Sequence, residues 1–199
     1  MSNLAERTVK TEPIFDGRVI KVRVDDVVLP NGAMSKREIV NHPGAVAIIA
    51  ITDEGKIVLV EQYRKALEKA IIEIPAGKLE PGEKPEVTAV RELEEETGYV
   101  CENMELITSF YTSPGFADEI LYVYKATGLT KKENKAELDE DEFVELMEVS
   151  LEEAITLMKD LRIHDAKTMF AVQYLQLQKK TLAKGECFLI DFCIYTCIT

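Results

Sequence analysis

Residues 77–99, GKLEPGEKPEVTAVRELEEETGY, constrain this chain more than any other stretch. Gly77, Pro81 and Gly82 break regular backbone and make the opening a loop, and Pro85 stands where a first helical turn tolerates a missing N–H. The pattern then predicts a helix of about thirteen residues. Gly98 ends it, because glycine takes the left-handed conformation that commonly closes a helix. At roughly 100° per residue, Glu92, Glu95 and Glu96 fall on one arc, and Ala89, Val90 and Leu93 are expected on the opposite side. Like charges three or four residues apart repel. Arg91, one turn before Glu95, offsets part of that, and oxygen-seeking divalent cations such as Mg2+ suit the rest. The plainer alternative is a solvated acidic face.

Length and charge narrow the function classes. At 199 residues the chain fits one domain with a small extension. A net charge of -12 argues against a nucleic-acid partner, which binds by having its phosphates neutralised. A small anionic substrate remains compatible if metals and a few placed arginines supply local positive charge. The N-terminus lacks the apolar core of a signal peptide, and no stretch has the roughly eighteen apolar residues of a membrane span. Cys101 stands apart from Cys187, Cys193 and Cys197, with no CxxC pair. Neither a zinc site nor a disulfide framework is indicated, so the expected compartment is the cytoplasm.

Along the chain, residues 14–40 read as a small antiparallel β unit, with Pro30-Asn31-Gly32 as its turn. Alone it would be unstable, so it should pack on the main body or a second subunit. Residues 45–51 (AVAIIAI) are a strand buried on both faces, and 56–63 return from the turn at 53–55. Residues 71–74 lead to Pro75-Ala76-Gly77 at the mouth of the central motif, and further strands are expected at 104–112, 120–126 and 143–149, with an acid-rich loop at 131–142. Ser150-x-x-Glu153 is a capping box for a helix through Leu161, and a last helix is expected over 165–184. Residues 186–199 read as an apolar, Cys-containing tail of a different character: a final strand, a partner-binding tail or a dispensable extension.

The fixed positions Gly77, Glu83, Arg91, Glu92, Leu93, Glu95, Glu96 and Gly98 are spaced as in the Nudix box, and the chain resembles the Nudix hydrolase family. Tyr99 departs from the pattern, since the family more often has an aliphatic residue there. The resemblance implies an α/β fold: an α/β/α sandwich on a mixed β-sheet, with the small N-terminal antiparallel β unit beside it. The expected division is 1–42 for that unit, 43–185 for the Nudix domain and 186–199 for the tail. In the family, the positions of Glu92 and Glu96 hold metals, that of Glu95 joins them or orients a water, and the carbonyl of Ala76 is a further ligand. Glu83 and Arg91 look like structural partners tying loop to helix.

Pro114, fifteen residues beyond Tyr99, resembles the marker of the ADP-ribose pyrophosphatase subgroup. Asp16-Gly17-Arg18, Arg37-Glu38-Ile39-Val40 and Glu61-Gln62-Tyr63-Arg64 resemble the subgroup's N-terminal segments. Position by position, Arg18, Val19, Arg37, Glu38 and His42 fall where the subgroup contacts substrate, often from the partner subunit of a domain-swapped dimer. Arg64, Lys78, Ser113, Pro114, Gly115 and Glu119 match further substrate contacts. Arginine can clamp a diphosphate bidentately, and carboxylates accept from hydroxyl or amino groups. Taken singly, Arg37-Glu38 reads as a surface pair and Pro114-Gly115 as a turn. The subgroup draws its general base from an acidic loop after the sheet, here Glu140 or Glu142, with Glu142 also counted among the metal ligands. The implied protein is a cytoplasmic homodimer, dependent on Mg2+ or Mn2+, that splits ADP-ribose into AMP and ribose 5-phosphate. Two alternatives stand beside it: hydrolysis of another nucleoside diphosphate derivative, dinucleotide or sugar nucleotide, and a non-catalytic ADP-ribose sensor.

Overall fold

The computed structural model describes residues 4–132 and 143–183. Its N-terminal unit is one sheet in the order β1 (Arg7–Asp16), β2 (Lys21–Val28) and β3 (Met34–Asn41), all antiparallel. The turn at 30–32 closes as expected: Gly32 has φ +86° and donates its N–H to the Leu29 carbonyl at 2.9 Å. Strand β1 begins at Arg7, ahead of the expected 14. Its polar alternation and Pro13 lower strand propensity, and pairing with β2 outweighs that. As an edge strand it tolerates the proline, and the register slips between Pro13 and Phe15. The unit joins the main body through β3: Val40 and Phe116 are hydrogen-bonded, and Asp118 accepts from the Asn41 side chain and the His42 N–H.

The main body contains two more sheets. One runs β10 (Val144–Val149), β5 (Ile57–Arg64), β6 (Lys69–Glu73). The other runs β7 (Ala76–Lys78), β4 (Ala45–Ala50), β9 (Ile120–Lys131), β8 (Tyr99–Tyr111). Strand β4 pairs antiparallel with β7 and parallel with β9, so the sheet is mixed. The apolar run of β4 feeds two cores by simple alternation. Ala45, Ala47 and Ile49 face one side, packed with Ala154 of α2 (Leu151–Lys159) and with Ala171 and Val172 of α3 (Ala166–Ala183). Val46, Ile48 and Ala50 face the other, packed with Ala89 and Leu93 of α1 (Pro85–Thr97). Helices on both faces of the sheet make the expected α/β/α sandwich.

Several boundaries differ from expectation. Strand β8 begins directly after the helix-closing Gly98, ahead of the expected 104, because antiparallel pairing with β9 carries the polar Glu102 and Asn103 along. Strand β7 holds Gly77, a residue that weakens strand signals. The Ser150–Glu153 capping box is present in both directions, but α2 stops at Lys159, and Leu161 takes φ +56°. Most of the acid-rich loop and the tail 186–199 lie outside the described residues.

Candidate active site

Helix α1 is built as its sequence requires, with Pro85 in the first turn and Gly98 at φ +73° donating its N–H to Glu94 at 2.8 Å. The buried face is another matter. Val90 is 41% exposed, whereas Glu92 and Glu96 are 9% and 4% exposed and share the inward stripe with Ala89 and Leu93. The expected apolar back with an acidic front is therefore corrected: positions 89, 92, 93 and 96 form the i, i+3, i+4, i+7 set, and Val90 points outward.

Two features make room for buried carboxylates. Gly77 has no side chain, and a Cβ there would fall inside the Glu92 carboxyl group. The Ala76 N–H donates to Glu96 Oε2 at 3.0 Å. A third feature offsets the charge: Arg91 Nη1 donates at 2.9 Å to both Glu92 Oε1 and Glu95 Oε2, and Nη2 reaches Glu83 Oε2 at 3.1 Å. The Arg91 hydrogen bond is the largest influence holding Glu83 below the usual carboxylate range, and the surrounding acids push Arg91 upward. The loop–helix tie expected between Glu83 and Arg91 is thus present, reinforced by the Thr88 hydroxyl donating to Glu83 at 2.8 Å.

Among the described residues no group of three potential ligands stands gathered to hold a metal ion, because Arg91 lies between Glu92 and Glu95. By chemistry the donor set fits a hard divalent cation: three carboxylates and the Ala76 carbonyl, all oxygen, border one cleft. That cleft has a volume of about 920 Å³. Arg18, Val19, His42, Arg64, Lys78 and Glu119 also line it.

The remaining expected contacts stand elsewhere in the chain. Arg37 pairs with Glu6 at 2.5 Å on the outer sheet, with Glu38 beside it on β3, and Ser113, Pro114 and Gly115 form a turn in which the Ser113 carbonyl accepts from Phe116 and Ala117. None of these five borders the cleft of its own chain. Glu140 and Glu142 lie outside the described residues. His42 Nδ1 accepts the Gly44 N–H at 3.2 Å, so the approach of Glu119 to that atom at 3.5 Å is not a hydrogen bond. Glu119 instead accepts from the Thr112 hydroxyl.

The structure adds cleft residues that sequence reasoning missed, notably Gln62, Asp165 and Lys167. Gln62 was legible, being two residues from Arg64 on the same strand face. Asp165 and Lys167 had no signal, because only tertiary packing brings the start of α3 to this wall. Tyr99 is explained as well. Its ring is buried and its hydroxyl donates to Glu148 at 2.6 Å, a bond that, with burial, pushes its pKa up to about 12. Cys101 is half-buried and its thiol is pushed up by burial, which makes it a poor nucleophile. No helix among the described residues is long and apolar enough to cross a membrane.

A family model described as NUDIX domain matches residues 41–172, and one described as nucleoside diphosphate sugar hydrolase N-terminal domain matches residues 6–40. The chain is 70% identical over 174 residues to a methanol dehydrogenase activator of Bacillus methanolicus, covering 87% of this chain and 94% of that one. It is 60% identical over 184 residues to an ADP-ribose pyrophosphatase of Bacillus subtilis (strain 168), covering 92% and 100%. A solved structure of an ADP compounds hydrolase superposes with a TM-score of 0.78 at 21% identity, covering 94% of this chain and all of that one, a likeness of fold.

Proposed function

This chain belongs to the Nudix hydrolase family, and from that premise we propose that it is a divalent-metal-dependent ADP-ribose pyrophosphatase, releasing AMP and ribose 5-phosphate. The observation that carries the reading is the 60% identity to a protein of that name across that protein's whole length. The cleft supports it, since a set of oxygen ligands faces the same space as Arg18, Arg64 and Lys78.

In this reading Glu92, Glu95, Glu96 and the Ala76 carbonyl would hold Mg2+, with Mn2+ as a substitute. Bound there, the metal would neutralise charge on the diphosphate and lower the pKa of a water. The protein's own groups do the rest. Arg64 and Arg18 orient the diphosphate, Glu119 and His42 border the substrate, and Arg91 would give up its hydrogen bonds to Glu92 and Glu95 where those carboxylates hold a cation. Glu140 or Glu142 takes the proton of the attacking water. A homodimer brings Arg37, Glu38 and the 113–115 turn to the partner's cleft, and the exposed Val9, Ile14 and Phe15 of β1 offer it an apolar face. A cytoplasmic setting accords with the substrate class.

The test is hydrolysis of ADP-ribose with products resolved by mass. A chelator is expected to abolish turnover and Mg2+ to restore it, and Glu96→Gln to lower kcat on the order of 100-fold or more while the protein stays folded. Turnover by the chelated enzyme, or near-normal kcat in Glu96→Gln, would refute the metal assignment. Faster turnover of a dinucleotide or sugar nucleotide would replace the substrate.

The 70% identical relative supports a second reading, that the chain stimulates a methanol dehydrogenase. Adding the wild-type chain and Glu96→Gln to such a dehydrogenase separates stimulation that needs hydrolysis from stimulation by binding alone.

A further inference from the structure

One carboxylate of the main body is buried away from the metal ligands and holds two cations. Glu73, at the end of β6, is 3% exposed. Its Oε2 accepts from Arg64 Nε at 2.7 Å and Nη2 at 2.6 Å, and its Oε1 accepts from Lys167 Nζ at 2.6 Å. Lys167 also donates to Asp165 Oδ1 at 2.9 Å, and that oxygen accepts the Thr168 N–H at 3.1 Å. The backbone fixes these parts. The Ile72 N–H of β6 donates to the Arg162 carbonyl at 3.0 Å, and the Ile74 N–H donates to the Thr168 hydroxyl at 3.0 Å. The edge of β6 is thereby pinned to the start of α3, and Lys167 is brought level with Glu73.

Arg64 and Lys167 both line the cleft that holds the box glutamates, whereas Glu73 does not. Arginine has five N–H donors and lysine three. Glu73 takes the Nε and one Nη of Arg64, and Lys167 spends two donors on Glu73 and Asp165. Each cation keeps donor capacity for a cleft ligand. Side by side in a cleft, two free cations would repel, and each would lose rotamer freedom when an anion arrived. A shared buried carboxylate removes both costs before binding, which is preorganisation. In a chain of net charge -12, attraction for a phosphate has to be built locally in this way.

We propose that Lys167 acts with Arg64 as a phosphate-binding cation of the cleft, and that Glu73 is the positioning residue that holds the two. The ligand class is a diphosphate ester, so the assignment deepens the hydrolase reading above and rests on it.

The test compares Lys167→Met, Lys167→Arg and the double variant Glu73→Gln/Lys167→Met with wild type, by steady-state kinetics on ADP-ribose and by metal-free calorimetric titration with ADP and with adenosine. The double variant removes the Glu73 charge together with its lysine and leaves only Asp165 without that partner, still held by the Thr168 N–H, so it keeps the comparison valid if Lys167→Met folds poorly. Lys167→Met is expected to raise KM and the Kd for ADP about tenfold, the loss of one charge-assisted hydrogen bond, and the double variant by at least as much, since Arg64 also loses its charged holder. Adenosine affinity and the melting temperature of the double variant should stay near wild type, kcat should change less than threefold, and Lys167→Arg should recover most of the loss. Unchanged KM and ADP affinity in the double variant, a fall in kcat alone, or no ADP binding by wild type would overturn the assignment. If wild type binds ADP yet does not hydrolyse ADP-ribose, the hydrolase reading fails and the ADP titrations still decide the role of Lys167.

Discussion

At the scale of single residues, the site depends on side chains that are missing as much as on those present. Gly77→Ala puts a methyl group where the Glu92 carboxylate lies. We expect it to displace that carboxylate, lower kcat by about 100-fold and cost about 1–3 kcal/mol of stability, measured by turnover and chemical denaturation. Wild-type kinetics in this variant would mean that Glu92 need not sit against the loop. Tyr99 gives a pH prediction. Its folded pKa of about 12 lies above the value near 10 of an unfolded tyrosine, so its contribution is complete below pH 10 and lost as pH rises toward 12. Tyr99→Phe should lower stability by about 1 kcal/mol at neutral pH, and its unfolding free energy should fall less steeply than that of wild type from pH 10 to 12. Parallel alkaline limbs would show that the Glu148 contact carries no weight.

At the scale of elements, α1 is the sharpest case of what a sequence does and does not disclose. Its extent, its proline start and its glycine end were legible, because each rests on local backbone chemistry. Its orientation was misread at Val90: hydrophobicity alone assigns a valine inward, whereas buried Glu92 and Glu96 claim that face once Gly77 and the Ala76 N–H receive them. The box glutamates were legible from spacing, while Asp165 and Lys167 were not, since they reach the cleft only through the pinning of β6 to α3. The start of strand β1 was not legible because its residues are polar, exposed and interrupted by Pro13, so only its hairpin pairing with β2 reveals it. The orientation is testable by denaturation: Val90→Lys should change stability by less than about 0.5 kcal/mol, and Leu93→Ala should cost about 2–5 kcal/mol. The reverse order would restore the original orientation.

At the scale of the whole molecule, the exposed apolar residues of β1 and the position of Arg37 away from its own cleft are the basis for expecting a dimer. Sedimentation equilibrium should return twice the 22.4 kDa chain mass, and Ile14→Asp with Phe15→Asp should shift the equilibrium toward single chains and reduce kcat/KM. A wild-type monomer with full activity would remove the need for a partner. The parallel pairing of β4 with β9 sets Ala45 against Leu121 and encloses β5 to β8, including the whole box, between the two strands. Such a ladder closes a long loop before it gains any contact energy, so the chain should fold in milliseconds to seconds rather than microseconds. The box helix can meet β7 and β4 early, but the cleft wall carrying Glu119 and Leu121 is missing until β9 arrives, so a nascent chain stalled before β9 would be catalytically silent.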